Sequence, residues 1–293
     1  MQTVASLIES VSAQFEQAGL SYGHGTDNAW DEAVALVLSV SGAADDEASL
    51  SLAVPDQHVE RILQAALERV QTRQPLAYIL GSCRYMGFDF KLEPGVVVPR
   101  SPIGYLLFEG LEAWLPDKVE HILDLCSGSG CLGIVAAHLF EHAQVTLVEL
   151  DAHAAALARQ NIELHGLGDR VRVVQADVTE PLAALGRFDL IVANPPYVDV
   201  IDMGALPAEY QAEPQRGLAA GDDGLSVMSP ILEQLQDLLN EDGLFVGEVG
   251  ASARALSARY PTVPFIWLDL PHGGEGVFAL EAASLSSHTA PDF

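Results

Sequence analysis

From residue 121 onward, short apolar runs and helical patterns alternate strictly, and this alternation constrains the fold more than any other feature of the chain. The runs at 121–125, 144–149, 171–175, 188–193, 243–249, 263–270 and 276–281 have strand length and are rich in branched residues. Helical patterns fall at about 130–141, 152–165, 225–240 and 250–259. Strands joined through helices run parallel, so the spacing predicts an α/β architecture: a mostly parallel, seven-stranded sheet covered on both faces. The last two runs are joined by the short turn Pro271 to Gly276, which predicts an antiparallel strand at the edge.

Upstream, residues 3–75 follow helical spacing, as in Val4, Leu7, Ile8, Val11 and Phe15. Between the first two helices lies a loop, Tyr22 to Glu32, with His24, two aromatic residues and three acids. It reads either as a binding surface or as a lead-in to a helix capped by Asp27 or Asn28, with Trp30 packed on the core. The alternation from Tyr85 to Leu92 suggests a hairpin arm, Val96 to Val98 a strand, and Ser101-Pro102 a helix start. Arg100, at that junction, suits an ion pair between two units of the chain or contact with a ligand. The expected organisation is a helical unit over 1–75, a hairpin linker over 76–100, a sheet domain over 101–283 and a flexible tail over 284–293.

In open α/β sheets the ligand sits beyond the carboxyl ends of the strands. The first sheet strand runs into Cys126-Ser127-Gly128-Ser129-Gly130, and Gly128, Gly130 and Gly133 match a dinucleotide fingerprint. However, Asp124 stands where that fingerprint has its tight glycine turn, and its charge opposes a phosphate and favours a cation or an amine. Glu149 closes the second strand, where a carboxylate grips ribose hydroxyls. Asp177, beside Val178, ends the third strand and either caps a helix or accepts from an exocyclic amine. Three carboxylates in phase with the glycine loop describe a ligand with a ribose, an amine, a positive centre and no phosphate, which are the features of S-adenosylmethionine. The fourth strand stops at Asn194-Pro195-Pro196-Tyr197. Prolines stiffen this corner and remove N–H groups from it. The Asn194 side-chain oxygen and the Pro195 carbonyl suit the two protons of a planar –NH2 group, with Tyr197 covering its face.

Charge narrows the partners. There are 41 acidic and 14 basic residues, a formal −27, and such a field repels nucleic acid backbones while tolerating a basic protein. The three cysteines form no CxxC pair and fit reduced thiols of a cytoplasmic protein; no metal-ligand spacing is present. Neither a secretory signal nor a membrane-length apolar run is expected.

Taken together, Asp124-x-x-x-Gly128-x-Gly130, Glu149, Asp177 and Asn194-Pro195-Pro196-Tyr197 resemble the class I S-adenosylmethionine-dependent methyltransferases that act on planar nitrogens, which have a Rossmann-like fold. Arg73-x-Pro75-x-x-Tyr78 and Val98-Pro99-Arg100 are similar to the protein-glutamine methyltransferases. Tyr22 to Asn28 and Pro99 to Gly104 resemble the branch that modifies large-subunit ribosomal protein three. The resemblance spans residues 20–282 and implies S-adenosyl-L-methionine as methyl donor, S-adenosyl-L-homocysteine as product and that ribosomal protein as partner, with neither DNA nor membrane binding. It implies that Asn194, Pro195, Pro196 and Tyr197 hold the substrate amide. It also implies cofactor contacts from Asp124, Cys126, Ser127, Gly128, Ser129, Gly130, Glu149, Asp177, Val178 and Asn194. Cys126 replaces the usual first glycine, and Tyr105 and Ser229-Pro230 also depart from the branch. Alternatives are a release-factor glutamine methyltransferase, a DNA adenine methyltransferase and a non-catalytic nucleotide binder.

Overall fold

The computed structural model describes residues 2–111, 113–270 and 274–285. Three helices open the chain: α1 (Val4–Ala18), α2 (Ala29–Ser41) and α3 (Asp56–Thr72). Thr3 and Ser6 close a reciprocal cap on α1, and the Asn28 side chain accepts from Asp31 N to cap α2. Their apolar stripes bury Leu7, Ile8, Phe15, Leu36, Val37 and Ile62 in a core of their own. Each such side chain contributes about 1.5–3 kcal/mol by leaving water.

A single helical turn, α4 (Leu76–Leu80), leads into the hairpin β1 (Ser82–Tyr85) and β2 (Phe88–Lys91). Its two-residue turn places Met86 and Gly87 at φ 51° and 84°, the left-handed pair that matches strand twist. Val96 to Val98 form no strand, contrary to the sequence reading. Two of their backbone groups are taken by side chains instead of a neighbouring strand: Tyr78 Oη donates to Val96 O, and Val98 N donates to Glu213 Oε1. Helix α5 (Ile103–Phe108) follows Pro102.

The sheet is built from β3 (His121–Leu125), β4 (Gln144–Glu149), β5 (Val171–Gln175), β6 (Phe188–Ala193), β7 (Leu239–Glu248), β8 (Ile266–Trp267) and β9 (Val277–Glu281). Helices α6 (Cys131–Leu139), α7 (Ala152–Leu164), α8 (Val200–Ala205), α9 (Ala208–Gln211), α10 (Met228–Leu238) and α11 (Ala253–Arg259) connect them. Strand order is β5-β4-β3-β6-β7-β9-β8, with β9 antiparallel to both neighbours. Alternate residues of the strands feed two cores. Ile122, Leu147, Leu190 and Val246 meet α5 and α6 on one face; Leu123, Val148, Ile191 and Phe245 meet α10 and α11 on the other.

The seven strands thus form a Rossmann-like sheet. Strand β8 is shorter than the run at 263–270 suggested, whereas β7 begins earlier, at Leu239. Part of the Pro271–Gly276 turn, and the tail from 286, lie outside the described residues. Among the described residues no helix is long and apolar enough to cross a membrane, and no cluster could hold a metal ion.

Candidate active site

Parallel register brings the candidate residues to one edge of the sheet. Leu125 lies opposite Val148 and Ala193, and Ala193 opposite Gly247. One residue further on, Glu149, Cys126, Asn194 and Glu248 stand in a row at the carboxyl ends of four adjacent strands.

The loop after β3 is tightly wound. Cys126, Gly128 and Gly130 have φ of 59°, 55° and 82°. A side chain at such a φ costs roughly 1–2 kcal/mol, which Cys126 bears and the two glycines avoid. Glu149 ties the loop down: its Oε2 accepts from Gly128 N at 2.7 Å and its Oε1 from Asp151 N at 2.8 Å. Burial pushes the Glu149 carboxyl up, against the pull of these backbone donors. Asn161, fully buried on α7, donates to Ser129 O at 2.9 Å and also exchanges hydrogen bonds with the Lys91 backbone. It therefore locks the loop to the hairpin.

Asp124 lies beneath the loop, 1% exposed. Its Oδ2 accepts from Gly133 N at 2.8 Å, while Oδ1 has no partner. Burial pushes its carboxyl up to about 7; the Gly133 N–H opposes this and Glu149 adds to it. Ser127 Oγ and Ser129 Oγ are likewise buried without partners. Three unsatisfied polar atoms around one loop are expensive unless a ligand engages them.

Asp177 lies two residues past β5, not at its end. Its Oδ1 accepts from Thr179 N and Oγ1 at 2.9 and 2.7 Å, and these bonds hold the carboxyl below its ordinary value. The Val178 side chain is buried in the core. The glycine loop, Glu149 and Asn194 are thus brought together, whereas Asp177 shapes a turn alongside.

At the corner, Asn194 is half-buried and Pro195 buried. Among the described residues no hydrogen bond engages the Asn194 amide or the Pro195 carbonyl. Tyr197 is held at its hydroxyl and along one ring edge. Its Oη donates to Glu248 Oε1 at 3.0 Å, and its ring abuts Gly250, where an added Cβ would sit 2.6 Å from it. Ser252 Oγ donates to Tyr197 O, and Ser101 Oγ to Glu248 Oε2 at 2.6 Å.

The sequence marked Arg100 for an ion pair but not the partners that surround it. Arg100 forms an ion pair between two parts of the chain: it grips both oxygens of Glu213 at 2.7 and 2.8 Å. His24 Nε2 approaches the same carboxylate at 3.4 Å. Glu209, four residues earlier and on α9, accepts from Ser21 N and Arg73 and faces the fully buried Arg69, itself paired with Glu32. In sequence, Glu209 and Glu213 look like solvated acids; Glu213 lies past the end of α9, so no shared helix face marks the pair. Trp30 is 47% exposed and does not pack on the core.

The chain is 38% identical to the ribosomal protein uL3 glutamine methyltransferase of Francisella tularensis, over 96% of this chain and 90% of that protein. It is 41% identical to the protein of the same name from Xanthomonas campestris, over 99% and 94%. The chain belongs to the ribosomal protein uL3 glutamine methyltransferases. Within this methyltransferase, residues 105–207 match the methyltransferase small domain family, a span that holds β3 to β6 and the Asn194 corner. A solved structure of the hMettl16 catalytic domain, bound to MAT2A 3′UTR hairpin 6, shares the fold at TM-score 0.54 and 16% identity. That likeness covers 83% of this chain and 88% of that one.

Proposed function

We propose that this methyltransferase transfers a methyl group from S-adenosyl-L-methionine to the side-chain amide nitrogen of a glutamine in ribosomal protein uL3, releasing S-adenosyl-L-homocysteine. The observation that carries the reading is the corner itself. A carboxamide and a proline carbonyl that have no hydrogen-bond partner among the described residues sit at the end of β6, beside the glycine loop. The near-full-length likeness to two uL3 glutamine methyltransferases supports the same substrate.

An amide nitrogen is a poor nucleophile because its lone pair is delocalised. Asn194 Oδ1 and Pro195 O, accepting its two protons, set negative potential against the charge that develops on nitrogen and aim it along one direction. As the new N–C bond forms, the donor's S–CH3 bond breaks and one of those protons passes to solvent water. Pro196 keeps the acceptors rigid, and Tyr197, tied to Glu248, braces them. No nucleophilic side chain is required.

The loop fits the donor. Asp124 Oδ1, Ser127 Oγ and Ser129 Oγ are buried and unpaired. Cys126, Gly128 and Gly130 supply a close backbone approach, Glu149, Asp177 and Asn194 offer side chains to the rim, and Val178, its side chain in the core, offers its backbone. When bound, the donor supplies an electrophilic methyl group on a positively charged sulfur, and the acidic rim favours that charge. We assign the helices of residues 1–75, the hairpin of 76–100 and the sheet domain of 101–283 to substrate recognition, linkage and chemistry respectively. A protein of formal charge −27 suits a basic protein better than a DNA duplex.

The test is Asn194→Ala. Transfer of labelled methyl to purified uL3 should be lost, with donor affinity by calorimetry within a few-fold of wild type. Normal turnover would remove Asn194 from the reaction.

A further inference from the structure

Two stretches singled out by the sequence, Tyr22 to Asn28 and Val98 to Pro102, take no direct part in the chemistry above. Both converge on buried carboxylates. Glu213, 3% exposed, receives Val98 N, both ends of the Arg100 guanidinium and the close approach of His24. Glu248, 5% exposed, receives Ser101 Oγ on one oxygen and Tyr197 Oη on the other. The chain between the corner and α10 makes an excursion that is closed at its base. Val198 N donates to Leu218 O, Ala220 N to Val198 O and Val200 N to Gly221 O. Its far part carries Glu209 and Glu213, which the N-terminal helices and their loops grip.

The consecutive residues Arg100 and Ser101 are therefore joined to the corner from two sides. Arg100 reaches it through Glu213 and the closed excursion; Ser101 reaches it through Glu248 and the Tyr197 hydroxyl. We propose that Arg100 and Ser101 are positioning residues for methyl transfer, fixing the Asn194–Tyr197 corner against the N-terminal helices through Glu213 and Glu248. The inference rests on the corner being the site of chemistry. Its physical basis is that two acceptors on one short corner must be held to a fraction of an ångström, and prolines fix the backbone only locally.

The experiment pairs activity with hydrogen exchange on the full chain. In Ser101→Ala, kcat for methylation of purified uL3 should fall at least tenfold and the donor dissociation constant change less than twofold. Amide exchange at Val198 and Val200 should accelerate. Glu248→Gln keeps an acceptor for Tyr197 and a donor for Ser101, so it should retain most of kcat, whereas Glu248→Ala should lose it. Arg100→Lys keeps the charge but not the two-pronged grip and should lose several-fold. Accelerated exchange with unchanged kcat in Ser101→Ala and Glu248→Ala would make the bracing purely structural and overturn the proposal. Unchanged exchange would overturn it as well. A wild-type protein that methylates no glutamine would instead sink the functional reading, and the exchange data would still decide whether the coupling exists.

Discussion

Replacing Glu213 by glutamine removes a negative charge from a site enclosed by Arg100, His24 and Val98 N. Burial opposes ionisation of this carboxyl, yet His24 and Arg100 hold it down to about 2, from an ordinary 4.5. At about 1.4 kcal/mol per pH unit, the lowering corresponds to about 3 kcal/mol of folded-state stability. A carboxyl whose value is depressed by folding contributes fully above its unfolded value and loses that contribution as pH falls toward the folded one. Glu213→Gln should therefore cost about 3 kcal/mol in urea titrations at pH 7. The gap from wild type should narrow as pH falls from about 4.5 toward 2. Arg100 left without its partner makes the loss at neutral pH larger rather than smaller. A loss below about 1 kcal/mol at pH 7, or a gap that does not change with pH, would refute the reasoning.

Other consequences concern the donor loop. The donor's positive charge favours ionised Asp124, so donor affinity should rise roughly tenfold between pH 6 and 8, as expected for a group titrating near 7. Asp124→Asn should flatten that dependence in calorimetry. Without the donor the sign reverses: a raised carboxyl lowers stability as pH climbs from about 4 to about 7, and Asp124→Asn should remove that slope. Gly133→Ala places a Cβ 2.1 Å from Leu147 Cδ2 and 3.1 Å from Asp124 Oδ2. It should cost about 1–3 kcal/mol by overpacking, read as a lower thermal midpoint.

The sheet was legible because its signal is local. Phe188 to Ala193 and Gln144 to Glu149 are apolar runs whose neighbours punctuate them, and the helices between dictate parallel pairing. The row of Glu149, Cys126 and Asn194 follows from strand ends alone. What sequence could not give depends on distant partners. Val96 to Val98 look like a strand, but Val98 N meets a carboxylate 115 residues away. Glu209 and Glu213 look solvated until Arg69, Arg73 and Arg100 are folded onto them. The anchoring of Tyr197 by Glu248 and Gly250 likewise depends on residues distant in sequence. Asp177 shows the converse: its turn-capping bond to Thr179 is a two-residue affair that sequence could weigh.

The central claim is that a rigid pair of acceptors makes a protein carboxamide attack a methyl group. Incubating the protein with isotopically labelled donor and purified uL3, then mapping the product by tandem mass spectrometry, tests it most directly. One added methyl on a glutamine side-chain nitrogen is expected, absent with Asn194→Ala. Label on any other residue type, or uL3 left unmodified while a DNA adenine is methylated, would contradict it.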